Sequence, residues 1–376
     1  MKNFELFLLQ TGLPFFYLKV GLALVLSFLI TFFSVPTIIR ISRRKNLMDE
    51  PGQRSSHLRK IPNLGGIAIF YSIGICASVF AHEIFDIYKF LFASLVILFY
   101  VGVMDDIMVM RAYKKLIAQI LVSVVLVMGS DVRIRSLFGI FGVYEINYFI
   151  SVIFTVITFI ILINAFNLID GIDGLAGGYS LLCSILFGIS YFRLGEYNYP
   201  LVILSVCIIG SVMAFLYYNL SNYRTTKIFM GDTGSMLLGF LLAFTAVCFI
   251  DIFIDREVPG MPRYHLKSAP AIAVAILILP IVDTLNVIII RCINKKSPFE
   301  ADKNHIHHKL IRMNLTHRRS SFYIMCYYMM IIVVAYLLRH IDVNLLLIVV
   351  LSLGFLGAYL PDIVMKVQKL KTQTNF

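Results

Sequence analysis

The chain has 376 residues, of which 59% are hydrophobic and 14% charged, and its mean hydropathy is +0.86. A soluble domain carries about a quarter of its residues as charges, so this composition excludes a water-soluble globular protein and points to lipid as the solvent. Most of the net charge of +12 is accounted for by the bias of Lys and Arg towards cytoplasmic loops and by attraction to anionic lipid; an anionic substrate is the sharper reading for particular loops, and a nucleic-acid partner is not expected.

Eleven apolar segments follow one another, near 18–39, 64–81, 90–104, 115–129, 147–164, 174–192, 199–219, 234–250, 269–290, 320–338 and 343–360. Backbone groups in hydrocarbon must bond within a helix or a closed barrel, and the alternation of a barrel strand is absent. The expected fold is therefore all-α: one polytopic integral membrane domain over 1–376, with no linker or internal repeat. Most Lys and Arg fall in the alternate loops that start with 40–63, which predicts a cytoplasmic location for that set, the N-terminus outside and the C-terminus inside. The first segment lacks a small-residue cleavage site and reads as a retained helix.

Between the fourth and fifth segments, 131–146 alternates around Gly139 and Gly142 and predicts a small hairpin. The loop 251–268 is polar, contains Pro259-Gly260 and reads as irregular. Asp283, after Pro280, is the one acid well inside a predicted span. It either serves function or is held by a partner such as Asn286 or an Arg of a neighbouring helix. The six cysteines form no Cys-x-x-Cys pair and imply neither a disulfide framework nor a zinc site.

Five loops carry candidate chemistry. Arg54, His57, Arg59 and Lys60 precede Pro62, Gly65 and Gly66; this is either a positive-inside loop or a shaped turn. Asp105-Asp106 ends the third segment. Adjacent carboxylates repel unless a cation lies between them, and Mg²⁺ suits such oxygen ligands; a solvated interfacial pair is the plainer alternative. Asn164, Asn167, Asp170 and Asp173 recur every third residue among Gly171, Gly174, Gly177 and Gly178. On a helix such residues share a face, and the glycines allow close approach of a ligand. Gly231-Asp232-Thr233-Gly234-Ser235 opens the eighth segment. There the free N–H groups suit an anion or an ordinary N-cap. His305, His307 and His308 stand in a loop with Lys303, Lys309 and Arg312, which favours anion contact over a tight metal site. Alternating spans bring the four clusters rich in Asp, Asn and His to one membrane face, as an active site would require.

As a set these motifs resemble the polyprenyl-phosphate N-acetylhexosamine-1-phosphate transferase family, over about 49–308. The resemblance rests on Arg54-Ser-x-His57 with Pro62-Asn-Leu-Gly65-Gly66, on Gly102-Val-Met-Asp105-Asp106 followed by Lys115 and Gln119, and on Asn164-Ala-Phe-Asn167-Leu-Ile-Asp170-Gly-Ile-Asp173-Gly. It rests also on Phe229-Met-Gly231-Asp232-Thr-Gly234-Ser235 and on Ser297-Pro298-Phe299 with Asp302 and His305-Ile-His307-His308. An eleventh span, with 320–360 as two extra spans and 361–376 as a cytoplasmic tail, and Lys309 after the histidines make the chain more similar to the N-acetylglucosamine branch than to the muramoyl-pentapeptide branch, which is the alternative.

The resemblance implies transfer of a sugar 1-phosphate from a UDP-N-acetylhexosamine to undecaprenyl phosphate, with release of UMP, in the bacterial inner membrane. It implies Mg²⁺, or Mn²⁺, held by Asp232 with Asp105 or Asp106. Catalytic roles fall to Asp105, Asp106, Asp232 and His308. Substrate contacts fall to Asn167, Asp170, Asp173, Phe229, His305, His307, Arg54 and Lys60, with Asn219 or Asn222 on the nucleotide side. A homodimer is implied as well. A transporter would place its acids near the midplane within repeated halves, and the Asp-Gly-x-x-Ala-Arg pattern of CDP-alcohol phosphotransferases is not matched by Asp170-Gly-Ile-Asp173.

Overall fold

A computed structural model describes residues 15–48, 60–254, 264–295 and 305–374, with side chains to residue 367. The chain runs α1 (Phe15–Arg44), α2 (Gly65–Phe80), short α3 (Glu83–Ile87), α4 (Leu91–Met108), α5 (Ala112–Ser130), strands β1 (Ser136–Ile140) and β2 (Val143–Glu145), α6 (Tyr148–Ile169), α7 (Leu175–Arg193) and α8 (Tyr199–Asn219). It continues through α9 (Gly231–Ile252), α10 (Ala269–Ile276), α11 (Ile278–Ile293), short α12 (Ile306–Arg312), α13 (His317–Leu337) and α14 (Val343–Thr374). All eleven predicted segments are helical. Among the described residues, nine helices are long and apolar enough to cross a membrane, ten if the bent pair α10–α11 counts as one span. The remaining segment, α2, has 16 residues, about 24 Å of helix against a hydrocarbon core of about 30 Å. Large apolar side chains such as Phe33, Ile117, Phe149 and Ile153 point outward, as lipid-facing residues do, and the chain is a multi-pass membrane protein.

The bundle is organised around α9. Every residue from Thr233 to Ile250 is buried, and the helix packs against α2, α4, α6 and α7. A helix that is apolar all round belongs inside. Small residues allow the close approach that holds helices together in lipid. A Cβ on Gly66 would lie 2.2 Å from the Gly234 nitrogen, and one on Gly102 would lie 2.5 Å from the Thr233 Cα.

One expectation on span geometry is corrected. The ninth segment is not one continuous helix, because α10 and α11 meet at 77°. Pro280 has no N–H, which deprives the Ile276 carbonyl of its helical donor. Tyr179 of α7 repairs the break: its hydroxyl donates to Ile276 O at 2.8 Å and accepts from Leu279 N at 3.2 Å. After the last span the helix continues, α14 running through Pro361 to Thr374.

The predicted hairpin is present. β1 and β2 pair antiparallel, and the tip turns at Phe141 (φ 52°) and Gly142 (φ 77°), the left-handed pair that a two-residue hairpin turn requires. Asn344 at the start of α14 holds the tip, accepting from Phe141 N at 2.9 Å and donating to Gly139 O at 3.1 Å. Part of the 251–268 loop lies outside the described residues.

Candidate active site

At the end of the bundle opposite the hairpin, the acids of α4 meet the start of α9. Asp106 accepts from Asp232 N at 2.7 Å, from Thr233 N at 3.0 Å and from Thr233 Oγ1 at 2.5 Å. The N-terminus of α9 therefore does receive an anion, but that anion is a side chain of α4 rather than a ligand or a local cap. The close fit depends on Gly231, at φ 73°, where a Cβ would stand 2.7 Å from both Asp106 carboxylate oxygens. The 62–66 segment completes the seat through Phe229 N→Pro62 O (2.8 Å), Gly65 N→Phe229 O (3.0 Å) and Gly66 N→Met230 O (2.8 Å). It is the shaped turn that Pro62, Gly65 and Gly66 suggest.

Asp105 is the more buried of the pair, at 4% exposure, and faces a cation. One oxygen accepts from Met110 N at 2.6 Å and the other pairs with Lys115 of α5. The Lys115 ammonium also reaches Asp232 at 3.2 Å, so it bridges the two carboxylates. Asn167 donates to Asp232 and to Ser235 Oγ at 2.9 Å, which fixes the Asp232 carboxylate from the opposite side.

The Asn-Asp series does not lie along one helical face, because α6 stops at Ile169 and Asp170 is its C-cap. Gly174 takes φ 78° before α7 begins, a conformation that suits glycine and turns the chain. The four residues consequently reach different partners. Asn164 pairs with Gln119 of α5 at 2.6 Å, and Asn167 holds Asp232. Asp173 binds Lys227 at 2.5 Å and His317 at 3.5 Å. Burial raises the Asp173 carboxyl, but His317 and Lys227 outweigh it and hold the group below the usual carboxylate range. Asp170 is half-buried. Burial and repulsion from Asp232, Asp106 and Asp173 push its carboxyl well above that range, the mark of surplus negative charge.

The histidines meet this turn from the other side. The His307 ring stands against Gly171, where a Cβ would lie 2.3 Å from Nε2. The three imidazoles cluster at centroid distances of 5.6 Å (His305–His307), 6.4 Å (His305–His308) and 4.3 Å (His307–His308). Burial pushes His307 down to about 3, with Asp283 pulling upward and His308, His305 and His317 adding to the fall, so its ring is neutral near pH 7. Lys309 does not join an anion site, contrary to the expectation for this loop. It is 2% exposed and turns to α14, where it binds Asp362 at 2.6 Å and Ala358 O at 3.0 Å.

The structure thus brings together Asp105, Asp106, Asn167, Asp170 and Asp232, with His307 reaching them across Gly171 and His305 and His308 beside it. Asp173 stands at the edge, with Lys227 near the Phe229 ring at 5.7 Å. Asn219 has its amide engaged by backbone, accepting from Gly174 N at 2.7 Å and donating to Ile228 O at 3.0 Å, whereas Asn222 is exposed. Lys60 is exposed at the rim, and Arg54 lies outside the described residues. Lys115, Lys227 and His317 were not among the site residues expected from sequence. Only Lys115 carries a local signal, its place in the first turn of the helix that follows the acid pair.

A divalent cation fits this donor set. Among the described residues no three His, Cys, Asp or Glu side chains stand close enough to ligate one ion, but Mg²⁺ is commonly held by one or two carboxylates with substrate phosphates supplying further oxygens. Asp105 and Asp232 converge on the same ammonium, and the raised carboxyl of Asp170 marks negative charge that a cation would relieve.

Residues 88–250 match the family described as Glycosyl transferase family 4. The chain is 29% identical over 307 residues to a probable undecaprenyl-phosphate N-acetylglucosaminyl 1-phosphate transferase of Bacillus subtilis, covering 81% of this chain and 80% of that protein. It is 29% identical to a decaprenyl-phosphate N-acetylglucosaminephosphotransferase of Mycobacterium tuberculosis, covering 77% and 75%. It is 28% identical to an undecaprenyl-phosphate alpha-N-acetylglucosaminyl 1-phosphate transferase of Yersinia pestis, covering 75% and 74%. Over three quarters or more of its length the chain is thus similar to proteins named as polyprenyl-phosphate N-acetylglucosamine 1-phosphate transferases.

Proposed function

We propose that the protein transfers N-acetylglucosamine 1-phosphate from a UDP-sugar to a polyprenyl phosphate, with undecaprenyl phosphate as acceptor, at the cytoplasmic face of a bacterial inner membrane. An oxygen of the lipid phosphate forms a bond to the sugar-bearing phosphorus of the donor. The bridging P–O bond breaks, and its oxygen leaves with UMP. Both reactants are anions, so positioning and charge neutralisation dominate the barrier. Mg²⁺, for which Mn²⁺ would substitute, supplies neutralisation of diphosphate charge, and Asp232 with Asp105 would hold it.

The chain's own residues do the rest. Lys115 lies where it can offset charge between the acids. Asn167 orients Asp232. Asp106 seats α9 and so sets the position of Asp232. Phe229 would take the uracil ring beside Lys227, Asp170 and Asp173 would border the nucleotide, and Arg54 and Lys60 would add positive charge at the entrance. His305, His307 and His308 would meet the phosphate and sugar, and Asn219 serves the backbone around them.

The observation that carries this reading is the meeting of carboxylates from α4, the α6–α7 turn and α9 with the imidazoles of the α12 segment at one end of a membrane bundle. A broken helix with a buried acid is also a transporter feature. Here, however, both oxygens of Asp283 are bound by protein groups. The test uses purified protein in nanodiscs with undecaprenyl phosphate, Mg²⁺ and a panel of UDP-sugars including the muramoyl-pentapeptide donor. UMP and a lipid-diphosphate-N-acetylglucosamine product are expected, and absence of a lipid product from every donor would reject the proposal. Cross-linking in the same nanodiscs tests the homodimer.

A further inference from the structure

Asp283 lies on α11 just beyond the bend and is fully buried. Neither Asn286 nor a neighbouring arginine holds it. One carboxylate oxygen stands 2.8 Å from His305 Nδ1, and the other accepts from Ile306 N at 2.8 Å. A carboxylate inside a membrane bundle is expensive, and these two contacts compensate it at a single place, the start of the histidine segment.

We propose that Asp283 is a positioning residue for the transfer reaction, holding His305 with Nδ1–H towards the carboxylate so that Nε2 is the edge presented to the phosphate-bearing substrate. This rests on the transferase reading above. A ring held through one nitrogen has its tautomer set by that bond, and a second bond to the adjacent backbone limits both tilt and translation. Anchorage of α12 does not depend on this pair alone, because Lys309 ties the same helix to Ala358 and Asp362 of α14. What Asp283 adds is control of the ring. The ring in turn lies parallel to His307, with 13° between planes, and His307 abuts the Gly171 turn beside Asp170. A packed path therefore runs from Asp283 through two imidazoles to the acid cluster. The 77° bend at Leu277 is what allows α11 to carry a carboxylate to this point.

Asp283→Asn, His305→Ala and the double variant test the idea in nanodiscs. The amide oxygen of Asn still accepts from Ile306 N, but its N–H₂ faces Nδ1 and reverses the tautomer. The expected result is a fall in kcat of about 10- to 100-fold, with KM for the UDP-sugar little changed and the melting temperature near that of the parent. The loss should be absent in the His305→Ala background, since a residue acting through His305 has nothing left to position. ¹⁵N spectra of histidine-labelled protein should show the His305 tautomer changing in Asp283→Asn. Near-parental turnover, a loss additive with His305→Ala, or an unchanged tautomer would each overturn the proposal. If the parent protein released no UMP, the transferase reading would fall instead, and the ¹⁵N spectra would still decide the tautomer.

Discussion

The two ends of the bundle carry the same kinds of charged residue in opposite balance. At the hairpin end Arg133 and Arg135 meet Asp131, and Arg135 reaches Asp251 at the end of α9. Two acids face two bases, and although burial raises the Asp131 carboxyl, Arg133 and Arg135 hold it below the usual range. At the other end of α9, about 28 Å away along the helix, Asp105 and Asp232 share the Lys115 ammonium, Asp106 binds the start of α9, and Asp170 is repelled by Asp232 and Asp106. The first network is complete in itself and fastens the hairpin to the bundle. The second holds more carboxyl groups than cations, a surplus that the proposed Mg²⁺ and its phosphate ligands would offset. Unbalanced charge, rather than the presence of buried ions, is what distinguishes the active site from a structural clamp.

Substitutions at the two ends should separate these roles. Asp232→Asn and Asp105→Asn are expected to lower turnover by about 10²- to 10³-fold while the protein still inserts and folds, measured as UMP release per folded molecule. Near-normal rates would reject their assignment. Lys115→Met should reduce turnover by about 10- to 100-fold and steepen the dependence on Mg²⁺, because the acids then have the metal alone to offset them; an unchanged Mg²⁺ titration would place Lys115 outside the site.

Asp170→Asn should abolish or severely lower activity and yet stabilise the metal-free fold. The folded-state pKa of Asp170 is raised, so its unfavourable charge is absent below the unfolded value of about 3.9 and develops as pH rises through the folded value. The gain in melting temperature should therefore grow with pH over that window, and Mg²⁺ binding to the parent should release protons, measured by calorimetry in buffers of different ionisation enthalpy. A variant less stable than the parent at pH 8 would contradict the surplus-charge picture. At the opposite end, Asp251→Asn should cost only about 1 kcal/mol, since the pair is partly exposed, and leave UMP release per folded molecule unchanged. A large loss of turnover there would erase the distinction between the two ends.

Much of the fold was legible before any coordinates. Lipid leaves a backbone few options, so every predicted apolar segment is helical, the ninth as two helices, and the alternation around Gly139 and Gly142 became a hairpin. The candidate site was legible as a set of loops. Asp105, Asp232 and Asn167 do meet, and the histidines do reach the Asp170 turn. The roles within the set were not legible. Asp105 and Asp106 are neighbours in sequence, yet one faces Lys115 and the other seats a helix start. Lys309 looked like part of a basic loop and is instead a buried tie to α14. Asp283 was expected to serve function or to be held by Asn286 or an Arg, and it is bonded to His305.

The amino-acid sequence alone determined the solvent, the helical character of the apolar segments and the inventory of acids, amides and imidazoles available for chemistry. These follow from composition and from the intrinsic demands of the backbone, which act over a few residues at a time. Only the tertiary structure decided which carboxylate is neutralised, which remains surplus, and where the ninth segment bends. Those outcomes depend on donors brought from distant helices, Lys115 and Thr233 for the acid pair and Tyr179 for the break at Pro280. Hydrogen bonds and charges act across a few ångströms of space, whatever their separation along the chain.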